Sequence, residues 1–319
     1  MSLDLVRFVT PQGFAWGVIH DDVVSAPECW ANQTTGLLMT RSLEELIQEG
    51  ASAPANRHRL AELELLAPVT PNQQLLCQLG NYFSHLREVG MALQPRPRNV
   101  MFTKASSSLA PGHGAIRRPS GVRLLDFEVE LGLVIGRPIR EPQRFEAAAL
   151  NGVVRALVLV NDISARDPQV ADGQYFLSKS HRGFCRVGPW LHVLEDGELQ
   201  RLVPLRLRLW VNGALRQDAT TQDMVHPPHE TLSQLSEVID LAPGDLLATG
   251  TPGGCAIRAP HRYIQQALGL LPRARVHAAF VNAQARSGRY LQPGDRIQAQ
   301  VLTGQGTSIC GVQDLWVIE

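Results

Sequence analysis

Apolar and polar positions along this chain alternate in short runs, and long helical periods are scarce. Near the start, LVRFVT, FAWGVI and VVSA are three such runs, divided by Pro11-Gln12-Gly13 and His20-Asp21-Asp22. Residues 3–27 therefore read as a meander of strands around turns. Residues 41–50, RSLEELIQEG, switch to a helical pattern. Ser42 suits the N-cap, Glu45 stands three residues on, and Gly50 is expected to stop the helix. Further strands are expected at 74–80, 122–136, 153–162, 203–213, 245–250, 295–304 and 311–319. Helical patterns are fewer, at 143–150, 229–240 and 263–271. Strands linked by Gly/Pro turns, without regular alternation with helices, argue against a doubly wound parallel sheet. The expected class is α+β with a mostly β main domain. Pro68 and Pro71 punctuate the chain. They set off a small β-rich N-terminal domain at 1–67 from a main domain at 68–319.

Composition narrows the function. A chain of 319 residues is long enough to bury roughly three quarters of its unfolded surface. Its 30 basic and 30 acidic side chains cancel, which argues against nucleic acid as partner. The first twenty residues carry Asp4, Arg7 and Pro11 and form no apolar core, so no signal peptide is expected. The best apolar stretch, 152–160, is short and broken by Arg155, far from the ~18 residues of a membrane span. Five scattered cysteines without CxxC spacing point to a reduced, cytoplasmic protein with no disulfide frame and no zinc site.

One count changes the picture. Of the 30 basic residues only Lys104 and Lys179 are lysine. A GC-rich genome explains the arginines. Where lysine survives such a drift, a site that needs a compact ammonium with a movable pKa is a natural reason, because arginine is a bulky permanent fork.

Three constellations could carry chemistry. Asp126, Glu128 and Glu130 alternate in an otherwise apolar stretch, so on one strand they project from one face. Acids so placed repel unless a cation joins them, and hard oxygen donors suit Mg²⁺, or else Mn²⁺ or Ca²⁺. The alternative is an edge strand with its acidic face in water. Asp162 closes another apolar strand, where a turn or cap aspartate is the plainer reading. In Gly80-Asn81-Tyr82-Phe-Ser-His85-Leu-Arg-Glu88 a helical turn would put His85 and Glu88 on one face. A carboxylate beside an imidazole makes a general base, although a surface His/Glu pair has the same spacing. Thr249-Gly-Thr251-Pro-Gly253-Gly254 lacks the order of a phosphate loop. Ser106–Ser108 lack the elbow of a serine hydrolase.

Taken in order, NYxxHxxE, FxKxxSS, DFEVELGLVIG, NDISARD, a lone lysine before FCxxGPW, VNGxxRQ, GDLLATGTPGG and LxPGDRI resemble the fumarylacetoacetate hydrolase family. The likeness spans roughly residues 5–300 and is closest to its acylpyruvate hydrolase and 2-hydroxyhepta-2,4-diene-1,7-dioate isomerase branch. It implies a mixed β-roll main domain and a homodimer. It makes Glu128, Glu130 and Asp162 the ligands of a divalent metal, with Asp126 supporting them. It makes Lys179 the active-site lysine, His85 and Glu88 the dyad that activates water, and Thr251 a contact to the substrate carboxylate. Tyr82, inside the NYxxHxxE motif, joins the expected substrate contacts.

The chain departs from that pattern in four places. Lys179-Ser180 is followed by His181 and Arg182, where the family has an apolar residue and an acid. Met224-Val225-His226 replaces a methionine-isoleucine-phenylalanine run. The 255–292 segment is longer than usual. Gly304–Cys310 replaces a glycine-rich signature. The expected activity is hydrolysis of a C–C bond in an acylpyruvate-like 1,3-diketo acid. Isomerisation or decarboxylation of a related 2-oxo or 2-hydroxy-dienoic acid is the alternative, since all three pass through an enolate. A non-catalytic metal- or metabolite-binding protein on the same fold is a third reading, which the intact His85/Glu88 pair disfavours. Arg182 and His181 are the expected contacts to a second carboxylate if they face the pocket. Otherwise Arg182 faces solvent or pairs with Asp167 or Asp172.

Overall fold

A computed structural model describes residues 2–52, 56–91, 98–259 and 272–319. The α+β class expected from the pattern is what forms. One large sheet runs through strands Arg57–Arg59, Val23–Ser25, Gly13–His20, Leu3–Thr10, Leu191–Val193, Val154–Asp162, Val129–Ile135, Leu246–Ala248, Leu75–Leu79 and Val100–Thr103. A five-stranded sheet follows the order Ala214–Thr220, Arg206–Val211, Arg296–Leu302, Ser308–Ile318, His113–Arg117. Strands from both sides of residue 67 share the large sheet, in which Leu3–Thr10 pairs directly with Leu191–Val193.

The centre of the large sheet is covered on both faces, which is why its strands read as nearly unbroken apolar runs. Leu131, Leu133, Leu157 and Leu159 pack toward the five-stranded sheet, meeting Leu207, Leu209, Ile297, Ala299 and Leu315. Val134, Ala156, Val158 and Val160 face the other way and join Leu5, Trp16, Trp30, Leu38 and Leu46. The helix Leu43–Ala51 has the expected capping box: Ser42 accepts the Glu45 amide and the Glu45 carboxylate accepts the Ser42 amide. Gly50 does not stop this helix but lies inside it. A Cβ there would meet Val18 Cγ2 at 2.5 Å, so the glycine is what lets helix and sheet approach.

Other expectations are adjusted. The 143–150 pattern yields only a 3₁₀ turn, Ala147–Leu150, and the 229–240 pattern the helix Pro228–Ser236. The 263–271 pattern lies outside the described residues. The helix Arg273–Ala285 was not legible, because its apolar residues form no single stripe. Among the described residues no helix is long and apolar enough to cross a membrane.

An ion cluster ties the first strand down. His192 Nδ1 lies 2.8 Å from Asp4 Oδ1, and its Nε2 lies 3.3 Å from Glu198 Oε1. Burial pushes this imidazole down, but the two carboxylates outweigh it and raise its pKa to about 9. A raised histidine stabilises the fold fully below its unfolded value of about 6.5 and loses that contribution as pH climbs through about 9. Thermal melts of wild type should therefore decline between pH 7 and 9.5, by roughly 3 kcal/mol in unfolding free energy at most. The decline should shrink in His192→Gln.

Candidate metal centre and active site

The acidic centre follows from strand register. Val129–Ile135 and Val154–Asp162 run antiparallel with Val129 opposite Asn161 and Glu130 opposite Val160. The Asp162 amide donates to the Glu128 carbonyl at 2.8 Å, so Glu128 and Asp162 face each other. Glu130, two residues on, returns to the same face. One carboxylate oxygen from each of the three lies within 4.8 Å of the others, and all three residues are buried. The strand Leu246–Ala248 flanks them on the far side, and the Gly250 amide beyond it donates to Glu130 Oε2 at 2.9 Å. Gly250 takes φ +82°, and a Cβ there would meet Asn81 Cβ at 2.9 Å. Only glycine fits this turn.

The three acids of 126–130 do not share one strand face, as a single strand over 122–136 would require. The ladder breaks between Leu125–Asp126 and Val129–Ile135. At the break, side chains replace backbone partners: the Glu128 amide donates to Asn161 Oδ1 at 3.0 Å and the Val129 amide to Gln217 Oε1 at 3.0 Å. The break turns Asp126 away from the triad. Its carboxylate accepts the amides of Phe127, Ala256 and Ile257 and Arg166 Nε at 2.9 Å. Asp126 thus pins the loop after Gly254.

Three buried cations answer these acids. Lys179 Nζ bridges Glu128 Oε2 at 2.6 Å and Asp162 Oδ2 at 2.5 Å, with its ammonium 5.2 Å from the Phe102 ring centre. Lys104 pairs with the other Asp162 oxygen and donates to the Phe184 carbonyl at 3.1 Å. Arg166 joins Glu128 to Asp126. Burial would lower Lys179, but Asp162 and Glu128 hold it well above its usual value. Burial would raise Glu128, but Arg166 and Lys179 hold it well below the ordinary carboxylate range. Glu130 has no cation among these partners. Burial, with Asp162 and Glu128 beside it, pushes it well up. Four carboxylates thus face three cations, and the uncompensated charge falls on Glu130.

Both surviving lysines are in the site. Lys104 carried the same arginine-bias signal as Lys179, yet its place beside Asp162 was not anticipated. Arg166, one of many arginines, gave no signal. The helix Phe83–Glu88 forms as expected and brings His85 toward Glu128. Burial lowers the His85 pKa to about 4, and its Nδ1 has no hydrogen-bond partner. Glu88 does not touch it: its carboxylate accepts the Gly254 amide at 2.7 Å and pairs with Arg258 at 3.0 Å. Tyr82, just before this helix, is fully buried, and burial pushes its phenol well up. The Thr251 hydroxyl donates to the Val129 carbonyl at 3.0 Å and accepts from Gln217 Nε2 at 2.8 Å, which holds the loop to the strand. His181 turns partly inward, its ring 4.9 Å from that of Phe184. Arg182 is exposed, and Asp167 is occupied by the Arg123 and Leu124 amides.

Three buried carboxylates on rigid strands, one of them without a cation partner, fit a hard divalent cation. Fold and centre together define an α+β scaffold built around a buried acidic triad. A family model for the fumarylacetoacetate (FAA) hydrolase C-terminal region matches residues 74–313. Protein Rv2993c of Mycobacterium tuberculosis is 36% identical over 251 residues, 78% of this chain and 87% of the relative. The crystal structure of a probable 2-hydroxyhepta-2,4-diene-1,7-dioate isomerase from Mycobacterium abscessus superposes with TM-score 0.71 and 28% identity, covering 100% of this chain and 98% of that one. A fumarylacetoacetate hydrolase from Exiguobacterium antarcticum gives TM-score 0.71 and 25% identity over 99% of both chains. The chain belongs to the fumarylacetoacetate hydrolase family, and it is an enzyme of that family.

Proposed function

We propose that the protein hydrolyses a C–C bond of an acylpyruvate-like 1,3-diketo acid, with Glu128, Glu130 and Asp162 holding Mg²⁺ or Mn²⁺. The observation that carries this reading is a buried imidazole, His85, whose Nδ1 has no hydrogen-bond partner and which lies within electrostatic reach of Glu128 in the triad. A divalent cation held by Glu128, Glu130 and Asp162 would supply positive charge against which an enolate can develop. His85 takes a proton from water as its oxygen bonds to the distal carbonyl carbon. The C–C bond breaks, its electrons pass into the pyruvate enolate, and a proton returned to carbon completes pyruvate and a carboxylic acid. Lys179 holds its ammonium toward the developing negative charge, a fixed charge in a dry site. Arg166 fixes the orientation of Glu128.

Isomerisation is the second reading. It is favoured by the name of the Mycobacterium abscessus neighbour and by the engagement of Glu88 away from His85. Incubation with acetylpyruvate and Mg²⁺, with pyruvate measured by lactate dehydrogenase, separates the two. Pyruvate release that stops with chelator supports hydrolysis. Absence of pyruvate, with 2-hydroxy-dienoate substrates tautomerised, assigns the isomerase. We further propose that the enzyme works as a cytoplasmic homodimer, as the family resemblance implies.

A further inference from the structure

The Glu88 carboxylate sits in a receptor of its own. Besides the Gly254 amide it binds Arg258 Nη1 at 3.0 Å. That guanidinium is held by backbone, since Nη1 also donates to the carbonyls of Cys255 and Ile257 at 2.5 and 2.9 Å. The Arg258 carbonyl in turn accepts Gln284 Nε2 at 3.0 Å. The loop carrying Arg258 is tied to the reactive centre, because the Ala256 and Ile257 amides bind Asp126, which shares Arg166 with Glu128. Yet the pair reaches solvent: the side chains of Arg258 and Glu88 remain 30% and 28% exposed. Three residues before Glu88 on the same helix, His85 Nδ1 is buried and unpartnered.

A preset arginine that reaches solvent, on a loop tied to an anion-handling site, matches a carboxylate. Here that place is taken by an internal carboxylate whose helical neighbour lacks a partner. We propose that Arg258 is the receptor for a second carboxylate of the substrate, and that Glu88 occupies it until such a substrate binds. The proposal rests on the reading of the site as a 2-oxo acid site and narrows its substrates to dicarboxylic 2-oxo acids. The substrate tail replaces Glu88 on Arg258, and Glu88 moves to His85 Nδ1. Arg258 exchanges one carboxylate for another, so a partly exposed pair of small net worth is not lost. His85 gains the partner that a buried polar atom otherwise goes without. The base is thereby oriented only when the correct tail is seated. Arg258, and not the exposed Arg182, then sets specificity.

The test is binding by calorimetry to the full chain saturated with Mg²⁺. Diacids from 2-oxoglutarate to 2-oxopimelate are compared with 2-oxo monoacids of equal length. The best diacid should bind about 30-fold tighter than its monoacid, the scale of a hydrogen bond to a charged group. In Arg258→Gln that preference should fall below about 3-fold while the monoacid Kd is unchanged, which also shows that the variant is folded. In ¹⁵N spectra the His85 Nδ1 signal should shift toward a hydrogen-bonded N–H with diacid and not with monoacid. Equal binding of both acid types by wild type, or a preference retained in Arg258→Gln, overturns the proposal and leaves the reading of the site standing. Failure of every 2-oxo acid to bind overturns both.

Discussion

Glu130→Gln should leave the fold in place, remove cation binding and reduce turnover by about 10³-fold. A bound cation contributes several kcal/mol of charge stabilisation, and each ~1.4 kcal/mol is tenfold in rate. The variant is chosen from the charge pattern. Asp162 neutralises Lys104 and Lys179 at once, and Glu128 neutralises Arg166 and Lys179. Replacing either leaves buried cations short of a partner, which typically costs about 3–5 kcal/mol and mixes stability with chemistry. Glu130 has no such cation, and its carboxylate is already pushed toward the protonated form by burial and by its two acidic neighbours. Glutamine keeps its shape, and its Oε1 can still accept the Gly250 amide. Mn²⁺ binding by calorimetry and melting temperature, read side by side, check this. Unchanged Mn²⁺ affinity in a folded Glu130→Gln protein, or full activity of wild type after exhaustive chelation, would exclude the triad as the cation site.

Much of this centre was legible in the sequence because it is built from register. Alternation of Glu128 and Glu130 in an apolar strand, with Asp162 closing the partner strand, places three carboxylates together once the strands pair. The rarity of lysine added Lys179, and the same signal pointed equally to Lys104. What the sequence concealed depends on breaks and on long-range partners. The backbone leaves the strand at Phe127–Glu128, so the three-acid alternation turned out to be two carboxylates of the buried triad and one loop anchor. Nothing in a pattern of period two announces such a break, because Asn161 and Gln217 take over the lost hydrogen bonds from 33 and 88 residues away. The His85/Glu88 spacing correctly implied a helix but not a contact. Glu88 is claimed by Gly254 and Arg258, which lie about 170 residues further along the chain and reach it only through the packing of the Thr251–Gly254 loop. Gly50 shows the converse case: it resembles a stop signal, and its role comes from Val18 on a neighbouring strand.

His85→Ala carries the second large effect and discriminates between the proposed reactions. Removing a positioned general base typically costs 10²–10⁴-fold, so hydrolysis of an acylpyruvate should fall by about 10³-fold with Mn²⁺ affinity unchanged. The pH dependence follows from burial, which lowers the imidazole to about 4 against an ordinary 6.5. Above about 4 the ring is neutral and able to take a proton, so kcat/KM in wild type should rise with pH through that region and be flat from pH 5.5 to 7.5. Stability carries the same signature. Between about 4 and 6.5 the unfolded chain binds a proton at this site that the folded chain does not, so stability falls as pH drops through this window. His85→Ala abolishes that loss, and its melting temperature relative to wild type should be higher at pH 4.5 than at pH 7.5. These two readouts separate a base from a packing residue, because a merely structural histidine changes stability without changing the rate profile. If His85→Ala hydrolyses acylpyruvate at a near-normal rate, water is activated elsewhere. If it loses little activity only on 2-hydroxy-dienoic acids, the enzyme is an isomerase whose chemistry needs Lys179 and the acidic triad but not this base.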